Sequence, residues 1–313
     1  MRRLPARYGV AGSGPGWQAS AMSSKPPGAP GTSWLGEPID ARPLFRPELE
    51  ALLGTLRGLR PADWRAPALP RWSVHDVAVH LLGDCYGRLG QAPDGYRRVF
   101  APGETLEAFI HRTNQEWVDL HAEDSPASLV DALEAAGTRL ARHFAATDPQ
   151  APALGVSWAG VDPAPGWLDT AREFTEHWTH RQQIRHALGR GTDPEPRALS
   201  TVLDTFMRAL PHTLRHTPAP EGTQIEVSVE GPAGGTWTVT AGAAVTAGTD
   251  GTDGWSPAAP PDGRPAASVR LTAETAWRLC TRGIDPATAL AGAGIRGERR
   301  LAEAVCEIVS IVH

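Results

Sequence analysis

The sequence predicts an α+β chain, all-helical in its N-terminal half and mixed in a smaller C-terminal half. Three patterns predict it. Through Leu188 the apolar residues recur every three or four positions. Strict alternation of apolar and polar residues begins only at Gln224. Gly- and Pro-rich joints at Gly189 to Pro196 and Thr217 to Gly222 separate the two regimes. With 313 residues the chain has room for one large domain or two of ordinary size.

Taken in order, residues 1–38 are dense in Gly, Pro and Ser and read as a disordered tail, with Met22 as a second possible start. Pro47 to Leu59 reads as a helix, since Leu49, Leu52, Leu53, Leu56 and Leu59 share a face. Ser73 offers an N-cap to a helix reaching Gly90, with Val74, Val77, Ala78, Leu81 and Leu82 on its apolar stripe. Glu104 to Ala122 and Ser128 to Ala146 follow as helices, then Trp167 to Leu188, ended by Gly189. Residues 39–190 thus predict a four-helix-type bundle. Residues 197–313 predict a small α+β domain. It has a helix over Arg197 to Arg215, strands over Gln224 to Glu230, Thr236 to Ala241 and Ala267 to Leu271, and helices over Glu274 to Arg282 and Glu298 to Val309. A Gly-, Asp- and Pro-rich loop fills Ala241 to Pro265.

Composition removes several function classes. Of 30 Lys and Arg residues one is lysine, Lys25, and it lies in the tail. The folded part therefore offers no P-loop, kinase-type or Schiff-base lysine. A net charge of −5 with scattered arginines argues against nucleic acid as a partner. No apolar run is long enough for a bilayer, and no apolar segment follows Met1-Arg2-Arg3, so neither a membrane nor export is expected. Cys85, Cys280 and Cys306 are widely spaced, which argues against a disulfide framework or an all-cysteine zinc site; a reducing cytoplasm is the expected setting. Gly292 to Gly297 fits GxGxxG, but no good strand precedes it, so it predicts no dinucleotide site.

The chemistry concentrates in the fifth helix. Glu173/His177 and Glu176/His180 are both i, i+4 pairs, and either can bring two ligands to one metal ion. Trp167, Ala171, Phe174 and Trp178 form an apolar stripe roughly opposite Glu176 and His180, so in a central helix both faces are buried and the Glu/His face needs a partner. Spacing does not choose between the pairs. On the Ser73 helix, His80 lies about 60° from Val77 and can face the interior, whereas His75 points the other way, toward water. His80 with a Glu/His pair makes three ligands with open positions, the set of a catalytic zinc or another divalent metal. The competing reading is a core histidine and a solvated ion pair.

Asp63-Trp64, Pro67 and the run Trp72-Ser73-Val74-His75-Asp76-Val77-Ala78-Val79-His80-Leu81-Leu82-Gly83-Asp84 resemble the opening motif of the mycothiol-dependent maleylpyruvate isomerase family, part of the DinB-like group. Glu176-His177-Trp178-Thr179-His180-Arg181-Gln182-Gln183 and the residues to Gly189 resemble its second metal motif. Asn114 and Trp117 match a further helix pattern. Phe206 to His212, Ala276 to Leu279 and Gly297 to Leu301 resemble its sterol-carrier-like C-terminal domain. The resemblance spans roughly residues 39–313.

It implies a divalent metal, zinc by expectation, on His80, Glu176 and His180, with Glu173 and His177 as bystanders. Asp84 and Gln183 would orient the ligands; the family commonly carries aspartate at the position of Gln183, which puts that orientation in question. It also implies mycothiol as thiol cosubstrate and a small electrophile resembling maleylpyruvate, isomerised or conjugated. Arg282 stands in about the place of a family arginine suited to a carboxylate, with Arg278 as its rival. The Arg-rich, Lys-poor composition fits the actinobacterial setting in which mycothiol is made. The expected assembly is a monomer or homodimer. Two other readings use the same site: a metal-dependent hydrolase of a small amide or thiol conjugate, and a non-catalytic ligand-binding module.

Overall fold

A computed structural model describes residues 35–91, 98–242, 254–259 and 263–311. Its helical half holds α1 (Phe45–Arg57), α2 (Val74–Arg88), α3 (Leu106–Leu120), α4 (Pro126–Ala145) and α5 (Gly166–Ala187). Two short hairpins, β1 (Pro67–Leu69) with β2 (Trp72–Ser73) and β3 (Pro152–Ala153) with β4 (Ala164–Pro165), deliver the chain into α2 and α5. Helices α1, α2, α4 and α5 pack on one another and α3 leans on α2.

Local chemistry sets the ends. The Ser73 hydroxyl accepts from the Asp76 N–H while the Asp76 carboxylate accepts from the Ser73 N–H at 2.8 Å, a reciprocal cap that starts α2 where the sequence predicts. Thr105 and Ser125 cap α3 and α4 through their hydroxyls. Gly189, at φ +67°, ends α5 in the left-handed region. Gly83 lets α2 and α3 approach, because a Cβ there would sit 2.5 Å from the Trp117 ring. Trp117 spans the same contact, donating its indole N–H to the Val79 carbonyl at 2.8 Å.

In the C-terminal half, α6 (Pro196–Met207), α7 (Leu210–Leu214), α8 (Ala273–Cys280), α9 (Pro286–Gly292) and α10 (Arg299–Cys306) accompany one five-stranded sheet of order β7-β6-β5-β8-β9. The strands are β5 (Gln224–Glu230), β6 (Gly235–Ala241), β7 (Trp255–Ala258), β8 (Ala267–Thr272) and β9 (Gly294–Gly297). The central pair, β5 and β8, is parallel with Val227 opposite Val269; the other pairs are antiparallel. Ile225, Val227 and Val229 alternate into the core with Ala267, Val269 and Leu271 beside them.

The single helix predicted over Arg197 to Arg215 is two, because Pro211 has no N–H to continue the ladder and its ring opposes the preceding turn. Strands β7 and β9 and helix α9 were not predicted. Both strands are short edges, one carrying Pro257 and the other lying within the GxGxxG run, where Gly297 adopts φ +80°. The Gly/Asp/Pro-rich loop otherwise lies mostly outside the described residues, as do residues 1–34 of the expected tail. The tail boundary itself moves: Leu35 is buried, and the Arg208 guanidinium holds the carbonyls of Leu35 and Glu37. No helix among the described residues is long and apolar enough to cross a membrane.

Helix α5 runs through the centre, with 16 of its 22 residues buried, and the halves meet along it. On the α8 side, Trp178 meets Trp277 edge to face, ring centres 5.6 Å apart. On the α1 side, the Arg181 guanidinium grips Glu48 through Nε and Nη2, and its Nη1 donates to Asp193 at 2.8 Å. Removing the carboxylate strands a buried cation. Glu48→Ala is expected to destabilise the chain by about 3–5 kcal/mol in urea unfolding, far beyond the ~0–1 kcal/mol of an exposed pair.

Candidate metal centre between α2 and α5

His80 and Asp84 stand four residues apart on α2, and Glu173, Glu176, His177 and His180 form two interleaved i, i+4 pairs on α5. The structure sorts these six residues into two neighbouring sets.

The first contains His80, Glu176 and His180. The His80 and His180 rings meet edge to face with centres 4.7 Å apart, and His180 Nε2 lies 3.6 Å from Glu176 Oε2. His180 Nδ1 is 2.7 Å from Gln183 Oε1. With that oxygen accepting, Nδ1 carries the proton and Nε2 keeps its lone pair on the Glu176 side. Gln183 therefore does by hydrogen bonding what the expected aspartate would do, without its charge. Trp72 covers His80 with ring centres 5.0 Å apart and is itself fixed by donating to Gln115 at 3.1 Å.

The second set is Asp84, Glu173 and His177, whose nearest ligand atoms all lie within 4.8 Å of one another. His177 Nε2 is 3.4 Å from Asp84 Oδ2 and 3.9 Å from Glu173 Oε1. Behind it, Arg172 donates to Asp169 at 2.9 Å and to Glu173 Oε2 at 3.1 Å, and Arg88 pairs with Asp169 and approaches the same Glu173 oxygen. Spacing had marked Glu173/His177 as an equal candidate pair, and the resemblance made them bystanders. Their meeting with Asp84 was legible only as a second i, i+4 relation, from His80 to Asp84.

Other sequence expectations fall differently. His75 does not face water: its side chain is 14% exposed, its Nε2 lies 2.9 Å from the Asp124 carbonyl, and the Trp64 ring packs on it. Arg278 is engaged locally, donating to the Gly283 carbonyl at 3.1 Å. Arg282 donates to the Glu307 carbonyl at 3.1 Å, while its Nη1 is buried without a hydrogen-bond partner. Its backbone sits at φ +54°, the position after the α8 cap at which glycine is usual. Burial pushes the Cys85 thiol well above its ordinary value, Cys280 up to about 12 and Cys306 up to about 11, so the chain's own thiols stay protonated at neutral pH.

The electrostatics follow from burial. His80 is held down at about 3, first by burial and then by the His180 ring, against the pull of Asp84. Glu176 is pushed up to about 7 by burial, which Arg172 only partly offsets. Burial and then the Asp84 charge drive Glu173 well above the usual carboxylate range. Two imidazoles and a carboxylate are donor types suited to a divalent ion. Among the described residues, however, only Asp84, Glu173 and His177 bring three ligand atoms within 4.8 Å of one another; the His80, Glu176 and His180 atoms do not all come so close.

Residues 45–185 match the family model of the mycothiol maleylpyruvate isomerase N-terminal domain, which bears out the resemblance over α1 to α5. Two solved structures are similar to the chain: a mycothiol-dependent maleylpyruvate isomerase at 16% identity and a mutant of it at 17%. Each alignment covers 85% of this chain and 97% of that one, with a TM-score of 0.44. No curated protein matches the sequence.

The two shifted groups oppose each other in pH. Between about 6.5 and 4.5, His80 takes up a proton only when unfolded, so its contribution to stability is lost as pH falls. Over the same window Glu176 takes up a proton only when folded, so its contribution grows as pH falls. Glu176→Gln leaves the His80 effect alone. Metal-free Glu176→Gln protein is expected to lose about 1 kcal/mol per pH unit more than wild type on acidification from 6.5 to 4.5. Urea unfolding in chelator at four pH values checks this, and parallel curves for the two proteins would refute it.

Proposed function

We propose that this chain, whose residues 45–185 form a domain of the mycothiol maleylpyruvate isomerase family, is a mycothiol-dependent isomerase or S-transferase. Its substrate would be a small electrophile with a carboxylate. A divalent metal, zinc by preference, would be held by His80, Glu176 and His180. The observation that supports the reading is the contact of the His80 ring on α2 with the His180 ring on α5, together with Glu176 beside His180 Nε2 and Gln183 hydrogen-bonded to His180 Nδ1. When bound, such an ion lowers the pKa of a thiol sulfur so that thiolate exists at neutral pH.

The chain's own residues supply orientation and exclusion. Gln183 and Trp72 hold the two imidazoles in place from behind. Trp72 also shields the His80 side from water, which strengthens electrostatic interactions within. The buried Arg88–Asp169–Arg172 network keeps α5 in register with α2. The incoming thiolate would add to an activated cis double bond. Rotation about the resulting single bond and loss of the same thiolate then give the trans isomer, with the thiol returned unchanged. All three protein thiols are buried, which leaves the nucleophile to an external thiol.

Arg282 would receive the substrate carboxylate. Two features support it over Arg278: an unpartnered guanidinium nitrogen, and a left-handed backbone held by a residue other than glycine. The bonds from the Arg282 N–H to the Leu279 carbonyl and from the Gly283 N–H to the Arg278 carbonyl lock that conformation.

Purified protein is expected to isomerise maleylpyruvate only when mycothiol is added. His80→Ala and His180→Ala should each lose one equivalent of bound metal relative to wild type and at least about 100-fold in kcat/KM, a transition-state loss of about 2.7 kcal/mol. Full metal retention in both variants would sink the site. Turnover without thiol would favour a hydrolase. Arg282→Gly should separate stability from function: relief of the left-handed strain stabilises the fold by about 1 kcal/mol, while KM for the carboxylate substrate rises.

A further inference from the structure

We propose that Asp84, Glu173 and His177 form a second divalent-cation site, one helical turn from the His80–Glu176–His180 set and sharing no residue with it. Geometry and the absence of alternative partners carry the proposal together. The 3.4 Å and 3.9 Å separations from His177 Nε2 to Asp84 Oδ2 and Glu173 Oε1 are longer than a strong hydrogen bond. They are near the roughly 3.3 Å between two atoms that each lie about 2 Å from one tetrahedral ion. All three atoms are buried, and none makes a hydrogen bond of good geometry; they face one another, and among the described residues none pairs with any other side chain. Glu173 is 0% exposed, so bulk solvent does not reach its Oε1. An orphaned carboxylate oxygen, an orphaned carboxylate oxygen of a second residue and an orphaned imidazole nitrogen converging on one point are a complete three-ligand donor set.

The surrounding charges point the same way. Arg88 and Arg172 both address Glu173 through Oε2, which leaves Oε1 turned toward Asp84 and His177. Both cations pair with Asp169 and Glu173, and neither pairs with Asp84, whose carboxylate faces His177 and Glu173. The Phe45 ring packs edge-on against His177 and limits its rotation. Asp84, with a side chain 24% exposed, is the ligand an ion would meet first on entering from solvent. Two carboxylates and one imidazole suit Mn2+ or Zn2+.

The proposal is independent of the isomerase reading, and one measurement separates the two. Metal-free protein is loaded with Zn2+ or Mn2+ alone, dialysed, and its metal content measured per chain, with circular dichroism confirming the fold of each variant. Wild type is expected to retain two equivalents. Asp84→Asn and Glu173→Gln should each retain one, and His180→Ala should also retain one. In Mn2+ titrations followed by electron paramagnetic resonance, Asp84→Asn should remove one class of site. If Glu173→Gln fails to fold, Asp84→Asn, at the partly exposed ligand, still decides. A single equivalent in wild type, unchanged by Asp84→Asn and lost in His180→Ala, would overturn the second site and leave the first. A single equivalent lost in Asp84→Asn but kept in His180→Ala would establish this site and overturn the other.

Discussion

The structure depends on burying a polar helix. Helix α5 carries Asp169, Arg172, Glu173, Glu176, His177, His180, Arg181 and Gln182, and most of these are sealed inside the protein. A buried charge is tolerated only when paired. The neighbours of α5 are accordingly specified by charge as much as by shape. Arg88 on α2 answers Asp169 and Glu173, Glu48 on α1 answers Arg181, and Asp193 in the following loop closes the same guanidinium. The apolar stripe of Trp167, Ala171, Phe174 and Trp178 occupies the remaining contacts. Most bundle helices show one wet face; this one has an apolar face and a face of matched charges, both inside.

The candidate site is a by-product of that arrangement turned to use. Successive carboxylate and imidazole groups three and four residues apart produce a ladder along α5, and α2 presents a histidine and an aspartate in step with it. Each rung has the same grammar: one group from α2 and an i, i+4 Glu/His pair from α5. What differs is the support. The rung with His80 is backed by an amide and an indole, and the rung with Asp84 by two guanidinium groups.

Much of this was legible in the sequence. Helical periodicity, the Ser73 cap and Gly189 placed α2 and α5 to within a residue or two, and the paired Glu/His spacing named four of the six residues that converge. The limits are physical. Periodicity says which side of a helix a residue is on, but not what stands opposite: it turns His75 toward water, whereas the Asp124 carbonyl and Trp64 enclose it, and it does not bring Asp84 to Glu173 and His177. The edge strands escaped because β7 and β9 are short, and proline or glycine weakens their alternation. The break before α7 was announced by Pro211, yet the apolar spacing ran straight across it. The Arg282 conformation left no trace, since left-handed backbone is signalled by glycine and the chain places arginine there.

The polar interior of α5 also bears on the order in which the chain assembles. A segment so rich in charge has little apolar surface with which to hold an isolated helix, and short helices are marginal in water without tertiary support. Its partners come from both sides of it in sequence: Glu48 and Arg88 well before, Asp193 and Trp277 after. Closing those long loops precedes the reward of the contacts they make. Helix α5 therefore depends for its burial on contacts made from both directions along the chain. The walls α1, α2 and α4 carry the leucines on which a bundle can condense, while α5 gains its polar contacts from α1, α2 and the loop that follows it.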